Sequence, residues 1–120
     1  MPTEITARTF KVAVIDNGNG FANRATAALK RIPGVAIFTG PAEDTVAWGA
    51  ELVVIDVRAG ARLLIPPLRD LGIDVLVAAG RPVVSVIDGC PVFDKERVAT
   101  AMVALVESVR RRRMAAVAAD

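Results

Sequence analysis

The sequence predicts a three-layer α/β/α sandwich around a mostly parallel sheet of four or five strands. Short apolar runs, rich in β-branched residues and without polar alternation, are typical of strands that are buried on both faces. Stretches with apolar residues at helical spacing separate most of these runs, as expected where helices connect parallel strands. The predicted strands cover residues 12–15, 35–38, 52–55, 75–78 and 83–87.

Length and composition predict a single domain. Its 120 residues match the length of a single domain, and its 53% of hydrophobic residues supply a core. We expect residues 1–120 to form this domain, with about the first nine as an N-terminal extension and 114–120 as a frayed, alanine-rich end.

The first two helices follow from spacing and end signals. Apolar residues recur at helical spacing from Phe21 to Ile32, and the following Pro33-Gly34 is typical of a helix end. Residues 41–49 are predicted to form a short or irregular helix before the third strand.

Two prolines interrupt the third helix, which is predicted at 61–71. Pro66 and Pro67 each lack a backbone N–H donor. We therefore expect the helix to begin near Pro66 or to be kinked there.

Residues 73–79 fit either a fourth strand or the end of the preceding helix. Val75 and Val77 favour a strand, because β-branched residues are enriched in strands. If this segment is a strand, the three residues 80–82 are too few for a crossover helix, so the next strand must run antiparallel to it.

The last helix is predicted to begin at Asp94, its N-cap, and to run through Arg113. It carries two apolar stripes, whereas contact with one sheet requires a single stripe. The second stripe suggests a surface for a partner, and small, singly exposed side chains are the alternative. The first stripe contains Val98, Ala101, Met102, Leu105 and Val109, and the second contains Ala99, Val103 and Val106.

Composition excludes several classes of function. The chain has no His and a single Cys, Cys90, which excludes His-based triads, His-liganded metals and disulfide frameworks. Four of the 15 basic residues form the run 110–113, so the other 11 face 13 acidic residues. Because the rest of the chain is near neutral and only 4% of the residues are aromatic, nucleic acid is not an expected partner.

The sequence predicts a cytoplasmic location without a membrane span. No apolar run reaches the roughly 18 residues that a span requires. The N-terminus lacks the basic segment and apolar stretch of a signal peptide.

Three aspartates, Asp16, Asp56 and Asp88, follow predicted strands. Because ligands of parallel α/β sheets bind at the carboxyl ends of the strands, we expect the three carboxylates to share one crevice. Such a cluster would bind a divalent cation such as Mg²⁺ or raise the pKa of one of its members. The alternative for each carboxylate is a turn or helix cap.

The first half of the chain resembles a response-regulator receiver domain, which has a flavodoxin-like fold. The resemblance rests on the sequence VIDN at 14–17, the helix at 20–32 and the sequence ELVVIDVR at 51–58. Asn17 stands where receivers have a second acid, and the segment 73–94 is too short for two strands and a full helix. The resemblance therefore implies a degenerate receiver whose fourth helix is deleted.

This resemblance also implies roles for particular residues. Asp56 stands for the phospho-acceptor, and Asp16 stands for the acidic pair that would hold Mg²⁺ together with Asp56. Ser85 and Lys95 stand for the hydroxyl and the lysine of the phosphorylation switch.

A second set of segments is similar to the N-terminal half of class I glutamine amidotransferases. These segments are VIDNGNG at 14–20, LRDLG at 68–72 and GRPVVSVIDG at 80–89. Ile87 stands at the position of the nucleophile, on what would be a sharp turn from a central strand into a helix. This resemblance implies a catalytically dead subunit or a small-ligand-binding domain.

Together these observations favour a receiver-like signalling or protein-interaction module that acts by contact rather than by turnover, with a weak Mg²⁺ or phosphoryl pocket at Asp16 and Asp56. The expected partner is a protein, with a homodimer formed through the last helix and its positions Ala99, Val103 and Val106. The alternatives are the dead amidotransferase-like subunit and a small metal-dependent enzyme that uses the clustered aspartates.

Overall fold

The computed structural model describes residues 9–18, 20–80 and 84–119 and contains a six-stranded, mostly parallel sheet in the order β2-β1-β3-β4-β6-β5. Five strands run parallel, and β5 pairs with β6 in the antiparallel direction. The predicted fold class is confirmed, with one strand more than expected. The strands are β1 (Phe10–Ile15), β2 (Val35–Thr39), β3 (Leu52–Asp56), β4 (Asp74–Ala79), β5 (Val86–Ile87) and β6 (Cys90–Asp94).

Four α-helices cover the two faces of the sheet, and alternation along the strands explains why both faces are apolar. Val12 and Val14 of the first strand pack into one core, whereas Ala13 and Ile15 pack into the other. The helices are α1 (Phe21–Leu29), α2 (Ala42–Trp48), α3 (Ala61–Asp70) and α4 (Val103–Ala119). Helices α1 and α4 contribute to the first core, and α3 contributes to the second. Within the described parts of the chain, no helix is long and apolar enough to cross a membrane.

Of the segment 73–79, residues 74–79 form strand β4, as the β-branched residues indicated. The next strand, β5, is antiparallel as expected, but it lies at the outer edge of the sheet, and β6 takes the place beside β4. The loop between β5 and β6 consists of Asp88, with φ 50°, and Gly89, with φ 80°. This is the Asp-Gly pair that favours a two-residue hairpin, and it is the sequence signal for β6 that the prediction missed.

Helix α3 begins at Ala61 and contains both prolines, so the first of the two alternatives, a start near Pro66, is wrong. The first turn forms because the Leu64 N–H donates to the carbonyl of Gly60. The missing donors of Pro66 and Pro67 fall one to two turns later, opposite the carbonyls of residues 62 and 63. Leu63 is 82% exposed, so these carbonyls lie on the side of the helix that water reaches.

The C-terminal helix begins with two irregular turns. Asp94 caps a 3₁₀ turn (Lys95–Arg97) by accepting a hydrogen bond from the Glu96 N–H, and a π turn (Val98–Met102) then leads into α4. The helix continues beyond the predicted end at Arg113 to Ala119.

The buried face of the C-terminal helix differs from the predicted one at Val106. This residue is fully buried in the core with Met102 and Val109, so its predicted place on an outward interface is wrong. The physical reason is helical spacing: Val106 lies four residues after Met102 and three before Val109, so all three share one face of the helix. Ala99 remains exposed and Val103 half-buried, as an outward surface requires.

Two arginines of the basic run anchor α4 to the start of β4. Arg112 Nη2 lies 2.9 Å from Asp74 Oδ1, and Arg113 Nε lies 2.7 Å from Asp74 Oδ2. Arg113 also donates to the carbonyl of Gly72. Partial burial raises the pKa of Asp74, but the hydrogen bonds and charges of the two arginines outweigh it and leave this pKa below its ordinary value.

We predict a pH-dependent contribution from this anchor. The lowered pKa of Asp74 means that its contribution to stability is present above the unfolded-state pKa, about 3.9, and is lost as pH falls through the folded-state pKa. Asp74→Asn should cost about 1 kcal/mol of unfolding free energy at neutral pH, because solvent screens this ion pair, and much less below pH ~3.

Urea unfolding of both proteins at the two pH values measures this difference. The exposed Asp70, at the end of α3, provides the control: Asp70→Asn should stay within about 0.5 kcal/mol of the wild type at neutral pH. An equal effect of Asp74→Asn at both pH values would contradict the assignment of Asp74 as the charged partner of Arg112 and Arg113.

Candidate functional site

The carboxyl edge of the sheet brings together residues that are far apart in the sequence. Asp56 ends β3, and Lys95 directly follows β6. Both strands pair with β4, with Asp56 opposite Ala78 and Asp94 opposite Ala79. The two side chains therefore reach across the end of β4 from its two sides.

Asp56 and Lys95 form a buried ion pair. Lys95 Nζ lies 3.0 Å from Asp56 Oδ2, and the two side chains are 11% and 0% exposed. The other carboxylate oxygen, Asp56 Oδ1, accepts a hydrogen bond from the Arg58 N–H at 2.9 Å. Both oxygens are thus engaged, and the carboxylate has no contact with solvent.

Local turns aim both members of this pair. Asp56 is the N-cap of a 3₁₀ turn (Val57–Ala59), so its side chain bends back over its own strand end. Asp94 caps the second 3₁₀ turn in the same way and directs Lys95 toward β3.

The carboxylate of Asp16 accepts hydrogen bonds from the backbone at the start of α1. Asp16 Oδ1 accepts from the Gly18 N–H at 3.1 Å, and Asp16 Oδ2 accepts from the Ala22 N–H at 2.8 Å. Its negative charge therefore lies at the N-terminus of α1, where it compensates the helix dipole. In the parts of the chain that are described, no three His, Cys, Asp or Glu side chains form a group that could hold a metal ion.

Asp88 lies at the opposite edge of the sheet, so the predicted crevice with three carboxylates is wrong. It sits in the turn before β6, and β6 runs parallel to β4, which places this turn at the amino edge. There its carboxylate lies 3.6 Å from Arg62 Nη1, and its carbonyl accepts a hydrogen bond from Arg69. The reason is the reversal at the hairpin, which spacing along the chain did not reveal.

Ser85 does not lie beside Asp56 either. It is exposed, and its carbonyl accepts from the Val92 N–H, which places it in the outermost strand pair. From β3 the sheet crosses β4 and β6 before reaching β5, a distance of about 14 Å at the usual strand spacing. At this distance Ser85 cannot act as a switch residue for Asp56. The strand next to Asp56 ends in Ala78 and Ala79, which carry no hydroxyl group.

The geometry expected for an amidotransferase elbow is absent from the described hairpin. Ile87 ends a two-residue edge strand, and the chain turns at Asp88 and Gly89 into another strand rather than into a helix. The thiol of Cys90 is buried, and burial raises its pKa more than the charge of Arg69 lowers it. Such a thiol is a poor nucleophile at neutral pH.

An open cleft of about 470 Å³ lies at the carboxyl ends of β1 and β2. The side chain of Asp16 lines it, together with Ala22, Thr39 and Pro41. Because this carboxylate already occupies the N-terminus of α1, the cleft presents negative charge where a phosphate group would need positive charge.

The strand order and the helices on both faces define a flavodoxin-like α/β domain. Among solved structures, the lactose-specific IIB component domain of the phosphoenolpyruvate:carbohydrate phosphotransferase system from Streptococcus pneumoniae has a similar fold. The TM-score is 0.55 at 17% sequence identity, and the match covers 83% of this chain and 97% of that chain. No protein-family model and no curated protein matches the sequence. The likeness therefore concerns the fold.

We predict strong energetic coupling within the buried pair. Asp56→Asn or Lys95→Met alone should cost about 3–5 kcal/mol of unfolding free energy, because each substitution leaves the charge of the other residue buried without a partner. The double variant should cost at least about 2 kcal/mol less than the sum, because no buried charge remains.

Urea unfolding of the four proteins at neutral pH measures this coupling. The exposed pair of Asp74 and Arg112 gives the matched control, with an expected coupling of less than about 1 kcal/mol. Additive effects of the Asp56 and Lys95 substitutions would contradict the assignment of a buried ion pair.

Proposed function

We propose that this chain is a cytoplasmic, non-catalytic receiver-like module that acts by binding a protein, including a second copy of itself. The observation that carries the proposal is the ion pair between Asp56 and Lys95. Among the residues that the receiver resemblance singles out, these two lie together at the expected edge of the sheet, but in a closed, solvent-free arrangement.

The closed pair supports contact rather than phosphoryl transfer. A carboxylate that accepts a phosphoryl group must reach the phosphorus atom of the donor in line with the leaving group. Asp56 has no exposed surface, and its two oxygens accept hydrogen bonds from Lys95 and from the backbone of Arg58. Access for a donor would require breaking a buried ion pair, which is strongly unfavourable.

The surroundings of Asp56 support the same proposal. The strand end beside it carries Ala78 and Ala79, so no hydroxyl group is available there to sense a phosphoryl group. Asp16 has both carboxylate oxygens engaged as acceptors at the start of α1. The metal and the switch that phosphoryl transfer requires therefore lack their ligands among the described residues at this edge.

We predict that the folded protein does not respond to phosphoryl donors. Incubation with Mg²⁺ and acetyl phosphate should give no phosphoryl adduct by intact mass. Mg²⁺ with beryllium fluoride should shift Tm by no more than about 1 °C, because only binding to the native state raises Tm.

A receiver domain of known competence, treated in parallel, verifies the reagents. Asp56→Asn provides the matched variant. An adduct or a rise in Tm that is seen in the wild type and lost in Asp56→Asn would overturn the non-catalytic proposal and establish a working acidic pocket.

A further inference from the structure

A groove of about 220 Å³ runs between α1 and the beginning of the C-terminal helix. Each wall presents residues at helical spacing, one turn apart, so that both walls are continuous faces. The wall from α1 and its following turn is formed by Ala28, Arg31 and Ile32, and the facing wall is formed by Ala99, Val103 and Glu107.

The floor of this groove is apolar, and small side chains lie along it. Ile32 and Ala28 are almost fully buried, whereas Val103 is half-buried and Ala99 is exposed. Two alanines on opposite walls allow another backbone to approach closely.

Opposite charges stand on opposite walls. Arg31 is exposed and has no ion-pair partner among the residues that the structure describes. Glu107, with 36% of its side chain exposed, has one long contact of 3.7 Å with Arg110 on its own helix. Both charges are thus available to a partner that presents the opposite charge at the matching position.

We infer that a second copy of this chain occupies this groove in a two-fold symmetric homodimer. In such a contact the same surface serves both copies, so Arg31 of each copy faces Glu107 of the other. The surface of the groove is therefore complementary to its own copy. A partner surface that carried only positive or only negative charge would be repelled by either Arg31 or Glu107. This inference rests on the proposed function, since a module that acts by contact needs such a surface.

The exchange of charges tests the two-fold arrangement. Arg31→Glu makes both positions acidic, and Glu107→Arg makes both basic, so each variant alone places like charges against each other. We expect each to weaken the dimer at least tenfold, because like charges that face each other across an interface are repulsive. An equimolar mixture of the two variants should restore a heterodimer, and the double variant should restore a homodimer.

Sedimentation velocity over roughly 1 μM to 1 mM protein measures these equilibria. Arg62→Glu, on α3 at the other side of the sheet, is the matched charge-reversal control and should dimerise like the wild type. Circular dichroism verifies that each variant is folded. Restoration by mixing supports the inference even where a single variant is less stable.

Several results would overturn the inference. A wild type that is monomeric throughout this range would do so, as would single variants that dimerise like the wild type or a mixture that stays monomeric. These results leave the non-catalytic part of the proposed function in place, because an adduct on Asp56 is measured separately. Conversely, such an adduct would overturn the non-catalytic proposal while the groove could still form the dimer.

Discussion

The ion pair between Asp56 and Lys95 determines how the second half of the chain is arranged. A buried charge requires a partner of opposite charge, so Lys95 must lie over the end of β4. The chain after β6 satisfies this requirement with a tight 3₁₀ turn, and the π turn that follows it is wider than an α turn. The helix that continues from these turns therefore has its orientation fixed by the charge pair at its start.

That orientation decides which residues of the last helix are buried. Met102, Val106 and Val109 enter the core against α1 and the sheet, whereas Ala99 is exposed and Val103 is half-buried. The far end of the helix is held by Arg112 and Arg113 on Asp74, at the opposite edge of the sheet. The helix is thus fixed electrostatically at both ends, and its outward face carries the groove through which we propose that two copies associate.

The same pair links the fold to the function that we propose. The carboxyl edge of a parallel sheet is where α/β proteins place their chemistry, and Asp16 and Asp56 both lie there. Each carboxylate, however, accepts hydrogen bonds that stabilise the fold: Asp16 at the start of α1, and Asp56 from Lys95 and Arg58. Groups that serve as internal partners in this way are not available to a substrate, which favours a module that functions through its surface.

Much of the architecture could be predicted from the sequence alone. Strands buried on both faces produce apolar runs, and this local pattern predicted the sandwich and five of the six strands in the described residues, although only residues 86–87 of the predicted 83–87 are described as strand. The sequence also indicated that Asp56 follows a strand, and the receiver resemblance singled out Lys95. Only the tertiary structure decided where Asp88 and Ser85 lie. Their positions depend on the reversal of the chain at Asp88 and Gly89, which changes strand direction without altering the hydrophobic pattern that a sequence displays.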